Sequence, residues 1–297
     1  MSEQTAKAVP VALNKYPVEQ ETTITPITVA EKQMLISEIY TCSQGEGPLT
    51  GTPSILIRTS TCNLRCRWVD PKTGSRNICD TPFTSWNPDL NNPMTTQEIY
   101  DKTLQLATLK DDGTERRAPI LNAIISGGEP TLWGTNLADL SLGLIASGIH
   151  VTVETNGTKY VEILSRQKNK QTGEPLDLTE RILFSISPKL ASSTPFGAAY
   201  EKEHNKLRIN YIVLEALLKR YPSYLKFVIT GAEDLKEVLE IQKTLKLPGH
   251  RVFLMPEGIT RDEIIAHGPA VNDLCMEYGF RYSPREHVIL YNNLRRT

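Results

Sequence analysis

From Met34 onward the chain alternates short apolar runs with longer amphipathic stretches. The runs 34–41 (MLISEIYT), 54–60 (SILIRTS), 120–126 (ILNAIIS), 150–155 (HVTVET), 182–187 (ILFSIS), 225–230 (LKFVIT) and 251–256 (RVFLMP) have strand length. Most are continuously apolar, as strands buried on both faces are. Helix-period segments fall between them at 96–109, 136–147, 158–166, 204–220, 233–245 and 261–278. Two open on a Thr-x-x-Glu box, Thr95 with Glu98 and Thr260 with Glu263, in which hydroxyl and carboxylate satisfy free backbone donors. Repetition of this kind builds right-handed βαβ units on a largely parallel sheet. About six units are too few for an eight-fold barrel and suit a partial barrel or an open doubly wound sheet. Segments 168–178 and 190–199 read as surface loops. Residues 1–33, polar and without periodicity, read as a flexible arm ahead of a single domain, 34–297.

Charge and composition narrow the function. The 297 residues carry 33 basic and 34 acidic side chains, a net charge of −1. That balance removes the basic face a nucleic-acid binder needs. No apolar run is long enough to span a bilayer. The opening MSEQTAKAVPVALNK lacks the basic start and apolar stretch of a secretory signal. Five cysteines, with three packed into eighteen residues, do not make a secreted disulfide framework. A cytoplasmic globular protein is expected.

Those three cysteines follow the strand at 54–60 directly, as Cys62, Cys66 and Cys79 in a C-x3-C-x12-C pattern. Structural zinc wants four ligands, usually as two close pairs, and no further Cys or His follows at suitable spacing. Three thiolates suit a 4Fe–4S cluster with one iron open to a ligand. Reduced, unliganded cysteines are the alternative, and the spacing alone does not separate the two. The neighbouring strands end in Gly-rich or polar loops: Gln44-Gly45-Glu46-Gly47, Ser126-Gly127-Gly128-Glu129-Pro130, Glu154-Thr155-Asn156-Gly157 and Ser187-Pro188-Lys189. All are expected on one rim beside the cysteine loop, where active sites of parallel βα folds gather. There the glycines of GGEP would admit a ligand close to the backbone and Glu129 could meet an amine.

The cysteine loop, GGEP, ETNG and the strand order resemble the radical S-adenosylmethionine superfamily, whose fold is a partial (β/α)6-type barrel. Within it, EIY-x3-QGEG (38–47), Arg58 before TCNLRC, CDT (79–81), SPK (187–189), KFV (226–228) and SPR-x-H-V-x-L-Y (283–291) are similar to the 7-carboxy-7-deazaguanine synthase family. The resemblance covers 34–297 and implies a carbon–nitrogen lyase of queuosine and 7-deazapurine biosynthesis. Its cofactors would be one 4Fe–4S cluster, S-adenosylmethionine and Mg2+. The cluster would cleave S-adenosylmethionine reductively, and the 5′-deoxyadenosyl radical would take hydrogen from C6 of 6-carboxy-5,6,7,8-tetrahydropterin. Ring contraction and loss of ammonia follow, with the S-adenosylmethionine regenerated.

Carried onto this sequence, the resemblance implies that Cys62, Cys66 and Cys79 hold three irons. Ile78, Asp80, Gly128, Ser187, Pro188 and Lys189 would meet S-adenosylmethionine, and either Trp68 or Ile78 would pack on its adenine. Ser43, Gln44, Gly45 and Ser126 would contact the pterin, with Glu154 and His287 as further neighbours. Arg58 would pair with the substrate carboxylate, for which a guanidinium fork is suited. Thr81 would bind magnesium, and MPEG (255–258) would close over the cofactor. A flavodoxin- or ferredoxin-type electron donor and a homodimer are also implied. By residue type alone, Arg58 reads as a structural ion pair, His287 as a near-core histidine and Lys189 as a surface cation. Cys42 and Cys275 read as packing residues.

One departure stands out. The superfamily loop is C-x3-C-x2-C, but the third position here is Val69, and Cys-Asp-Thr returns ten residues later at 79–81. Either 71–77 belongs to an insertion and Cys79 is the third ligand, or the ligand is lost. The first is favoured, because Cys79 keeps Asp80 and Thr81 beside it and ten extra loop residues cost roughly 1 kcal/mol. A glycyl-radical activase and a non-catalytic metal-binding module are the alternative functions. QGEG and Arg58 favour a small carboxylated substrate.

Overall fold

The computed structural model describes residues 33–69, 76–164, 178–292 and 294–296. The expected arm lies outside the described residues except for Gln33, as does nearly all of the loop expected at 168–178. In chain order the strands are β1 (Gln33–Ser43), β2 (Pro53–Thr59), β3 (Arg67–Val69), β4 (Arg76–Ile78), β5 (Pro93–Thr95), β6 (Asn122–Gly127), β7 (His150–Thr155), β8 (Ile182–Ile186), β9 (Ser223–Ile229), β10 (Val252–Pro256) and β11 (Arg281–Tyr282). The helices are α1 (Pro82–Ser85), α2 (Thr96–Thr108), α3 (Thr135–Ala146), α4 (Glu201–Leu207), α5 (Tyr211–Arg220), α6 (Asp234–Leu245), α7 (Arg261–Tyr278) and α8 (Glu286–Tyr291).

Nine strands form one sheet in the order β11-β10-β9-β8-β7-β6-β2-β1-β5, and β3 pairs with β4 apart from it. Neighbours from β2 to β11 are parallel, while β1 is antiparallel to β2 and β5. This is the expected α/β architecture, with β2 and β6 to β10 as the parallel strands of a partial barrel. Both expected capping boxes form, at the starts of α2 and α7.

Period-two alternation divides the strand residues between two environments. Ile55, Ile57, Ala123, Ile125, Val151, Val153, Phe184 and Phe227 join Leu137, Leu140, Leu214, Leu217 and Val238 of the helices in one buried core. Each Val, Leu, Ile or Phe among them contributes about 1.5–3 kcal/mol by leaving water. The intervening Leu56, Arg58, Ile124, Ser126, Glu154, Ser185, Lys226 and Val228 line a cavity on the opposite face. In β1 the parity changes partway. Ile36 pairs with Thr59 on the core side, a register shift follows, and Glu38 pairs with Arg58 on the cavity side. The bulge therefore lets Met34 and Ile36 serve the core while Glu38, Tyr40 and Cys42, of the same parity, serve the cavity.

Two helix expectations change. Residues 158–164 of the segment expected as helix form no α-helix; there the hydroxyl of Tyr221 accepts from Ile163 N at 2.8 Å and donates to the Val161 carbonyl at 2.9 Å. A distant tyrosine thus replaces helical hydrogen bonds. The single helix expected over 204–220 is two, α4 and α5, because Asn210 caps the second with its side chain on Val213 N at 3.3 Å.

Candidate active site

The residues after β2 leave the sheet through Thr61, whose φ of 72° is a strained left-handed value for a β-branched residue. GGEP holds that turn. Gly128 N donates to the Thr59 carbonyl at 3.0 Å and Glu129 N to the Thr61 carbonyl at 2.8 Å. A Cβ on Gly128 would lie 1.8 Å from the Thr61 oxygen. What approaches this glycine closely is the chain's own cysteine loop, a tighter requirement than the ligand access expected from sequence.

Beyond the turn, Cys62 and Cys66 lead into the β3–β4 hairpin, with Arg67 opposite Ile78 and Trp68 opposite Asn77. The hairpin returns the chain so that Cys79 N donates to the Cys66 carbonyl at 3.2 Å. The strands on either side of the extra residues are therefore paired, and Cys79 arrives beside Cys66 despite the long spacing. Cys62, Cys66 and Cys79 all border the same cavity of about 300 Å³. Burial pushes the Cys62 thiol up to about 12 and the Cys66 thiol well above its usual value. Among the described residues, no three His, Cys, Asp or Glu side chains converge as the ligands of a single metal ion would.

Charged groups from distant segments line the rest. Lys226 pairs with Glu46, whose other oxygen accepts from Arg285 Nε at 3.2 Å, and Arg285 also pairs with Asp80 beside Cys79. Lys226 and Arg285 hold the Glu46 carboxyl below the ordinary range against the cost of burial, and the Asp80 carboxyl is likewise held down by Arg285. From β1 and β2, Arg58 Nε donates to Glu38 at 2.8 Å. Glu154 accepts from Ser126 Oγ at 2.8 Å and from Gln44 Nε2 at 3.4 Å. His287 is kept toward its neutral form by burial and by Arg285. A Cβ on Gly45 would lie 1.9 Å from its Nδ1.

Most residues singled out from sequence face this one cavity: the three cysteines, Ile78, Asp80, Thr81, Gly128, Ser187, Lys189, Ser43, Gln44, Gly45, Arg58, Ser126, Glu154 and His287. Trp68 and Met255 to Gly258 do so too. Pro188 does not; it is buried off the wall. Glu129 cannot meet a ligand amine, because it is fully buried and accepts from Thr131 N, Thr131 Oγ1, Thr155 Oγ1 and Asn156 N at 2.6–3.0 Å. Cys42 is no mere packing residue: it lines the cavity, its thiol pushed up to about 12 by burial, then by Glu154. Cys275 does pack, on the buried face of α7. The loop 44–47 leaves the antiparallel β1 at the rim opposite the cysteine loop and reaches the site by bonding inward to Glu154 and Lys226. Glu38, Lys226 and Arg285 also line the cavity, and their only signal in the sequence is their place within EIY, KFV and SPR.

No protein-family model matches the chain. It is 35% identical over 275 residues to a 7-carboxy-7-deazaguanine synthase of Halobacterium salinarum, spanning 88% of this chain and 92% of the relative. The corresponding protein of Rhodopirellula baltica is 32% identical over 272 residues, 90% of each chain. Among solved structures, QueE from Escherichia coli superposes with a TM-score of 0.52 at 21% identity, over 84% of this chain and 93% of that one, a likeness of fold. Identity of this extent to full-length relatives, on the fold and cysteine loop described above, makes the chain a member of the 7-carboxy-7-deazaguanine synthase family.

Proposed function

We propose that this chain is a radical S-adenosylmethionine lyase that converts 6-carboxy-5,6,7,8-tetrahydropterin to 7-carboxy-7-deazaguanine with release of ammonia. The observation that carries the reading is the hairpin that seats Cys79 against Cys66, giving three thiols on the wall of a cavity that Arg58 also lines. This donor set fits a 4Fe–4S cluster: the thiols are too spread for one ion, soft enough for iron, and three in number, which leaves one iron open. When bound, the cluster and S-adenosylmethionine supply one-electron, radical chemistry.

The protein's share is binding, charge and exclusion of water. Gly128, Ser187 and Lys189, with Ile78 and Asp80, form the wall assigned to S-adenosylmethionine; Pro188 shapes its turn from behind. Lys189 Nζ, donating to Ser187 Oγ at 3.0 Å, is a cation available to a carboxylate there. The Thr81 hydroxyl is the magnesium ligand in this reading. Glu154, already aligned by Ser126 and Gln44, accepts from the donor edge of the pterin, which lies against Ser43 and Gly45. Arg58 takes the substrate carboxylate on its Nη atoms, since Nε is committed to Glu38. Neutral His287 can hold a proton beside the ring. The same reading includes a flavodoxin- or ferredoxin-type electron donor, a homodimer, a cytoplasmic location and a catalytic domain over 34–297. No helix among the described residues is long and apolar enough to cross a membrane.

Reconstituted anaerobically, the chain is expected to carry about four irons and to release ammonia in proportion to carboxypterin consumed. Cleavage of S-adenosylmethionine with no ammonia released contradicts the proposal. Cys79→Ala is expected to lose the cluster, whereas full iron in that variant would remove Cys79 from the ligand set.

A further inference from the structure

The carboxylate of Glu38 is shared by three arginines. Its Oε1 accepts from Arg58 Nε at 2.8 Å, and its Oε2 from Arg295 Nη2 at 3.1 Å and Arg296 Nε at 3.3 Å. The Glu38 side chain is only 2% exposed, while those of Arg295 and Arg296 are 57% and 65% exposed. All four residues border the cavity. The segment carrying the two outer arginines is directed there by built contacts. Arg261 donates to the carbonyls of Ile289 and Leu290 at 2.6 and 2.9 Å, closing the end of α8. Asn292 then turns the chain at a φ of 57°, its Oδ1 accepting from Arg261 N at 3.0 Å. The guanidinium of Arg295 lies 3.8 Å from the centre of the Phe83 ring, itself on the cavity wall.

The charge balance gives these contacts a consequence. A buried pair of Arg58 and Glu38 alone is neutral and offers little attraction to an anion. With Arg295 and Arg296 on the second oxygen, three cations surround one carboxylate, an excess of two positive charges within this cluster. We infer that Arg295 and Arg296 are specificity-determining positioning residues, which neutralise Glu38 from outside and so leave Arg58 cationic toward a carboxylated ligand. This rests on the substrate reading above, and it assigns the preference for the carboxylate to a segment far in sequence from Arg58.

The test is equilibrium binding, on the anaerobically reconstituted full chain, of 6-carboxypterin and of pterin, the same oxidised ring without the carboxylate. The unaltered protein prefers the carboxylated ligand. In R295A/R296A that preference falls about tenfold, equivalent to about 1.4 kcal/mol, while pterin affinity and iron content stay as they were. Turnover shows the change in KM and not in kcat. R295K/R296K keeps most of the preference, since the charges remain. Raising the salt narrows the difference between unaltered and alanine proteins, because the outer arginines are exposed. Undiminished preference in R295A/R296A, or equal weakening of both ligands, overturns the inference. If the unaltered protein shows no preference at all, the carboxypterin reading itself falls, a distinct result.

Discussion

Gly128 and His204 show how single positions are fixed by what surrounds them. At Gly128 a methyl group would meet the Thr61 carbonyl, backbone that cannot swing aside. Gly128→Ala is expected to cost about 2 kcal/mol through overpacking and to move the cysteine loop. Iron bound after reconstitution is the measurement; an unchanged iron content would show that the loop tolerates the shift. His204 is buried, with Nε2 against Ser193 Oγ at 3.1 Å and Nδ1 unpartnered. Burial, with Arg208 and Lys189 nearby, lowers its pKa to about 4. A histidine protonated more readily unfolded than folded stabilises the fold fully above about pH 6.5. That contribution is lost as pH falls toward about 4. Replacing His204 by Gln should flatten the pH dependence of the unfolding midpoint in that window. An unchanged slope would assign the acid sensitivity to other groups.

At the scale of elements, propensity and period found what depends on local sequence. The capping boxes of α2 and α7 were legible because both partners lie within one turn. The bulge in β1 was not, since it exists only as a mismatch with β2 and leaves no mark on the alternation of β1 itself. The hairpin was hidden for a similar reason: what it does is join Cys66 to Cys79, and neither strand is long enough to show a pattern. The break between α4 and α5 did have a signal, Asn210, which the continuous apolar period overrode. Its side chain caps α5 and also donates to the Thr158 carbonyl at 3.2 Å. Asn210→Ala is expected to cost about 1 kcal/mol, read as a lower denaturant midpoint with iron content unchanged. A loss well below that would mean α5 is fixed by its packing alone.

Across the whole molecule, the core side of the sheet was readable and the cavity side only in part. Apolar runs identify strands because every parallel strand buries a face against helices. The ion pairs that shape the cavity join residues that are 180 and 205 positions apart, Glu46 with Lys226 and Asp80 with Arg285. No local pattern connects them, so their role follows only from the fold. The cysteines, glycines and Arg58 were found because they fall within short motifs at strand ends. In the proposed function, one cavity keeps a cluster on three thiols and a carboxylated pterin on Arg58. Anaerobic turnover of 6-carboxy-5,6,7,8-tetrahydropterin with S-adenosylmethionine and a reductant, with the product identified by mass, tests it most directly. The expected product is 7-carboxy-7-deazaguanine. Reductive cleavage of S-adenosylmethionine that leaves the carboxypterin intact would contradict it.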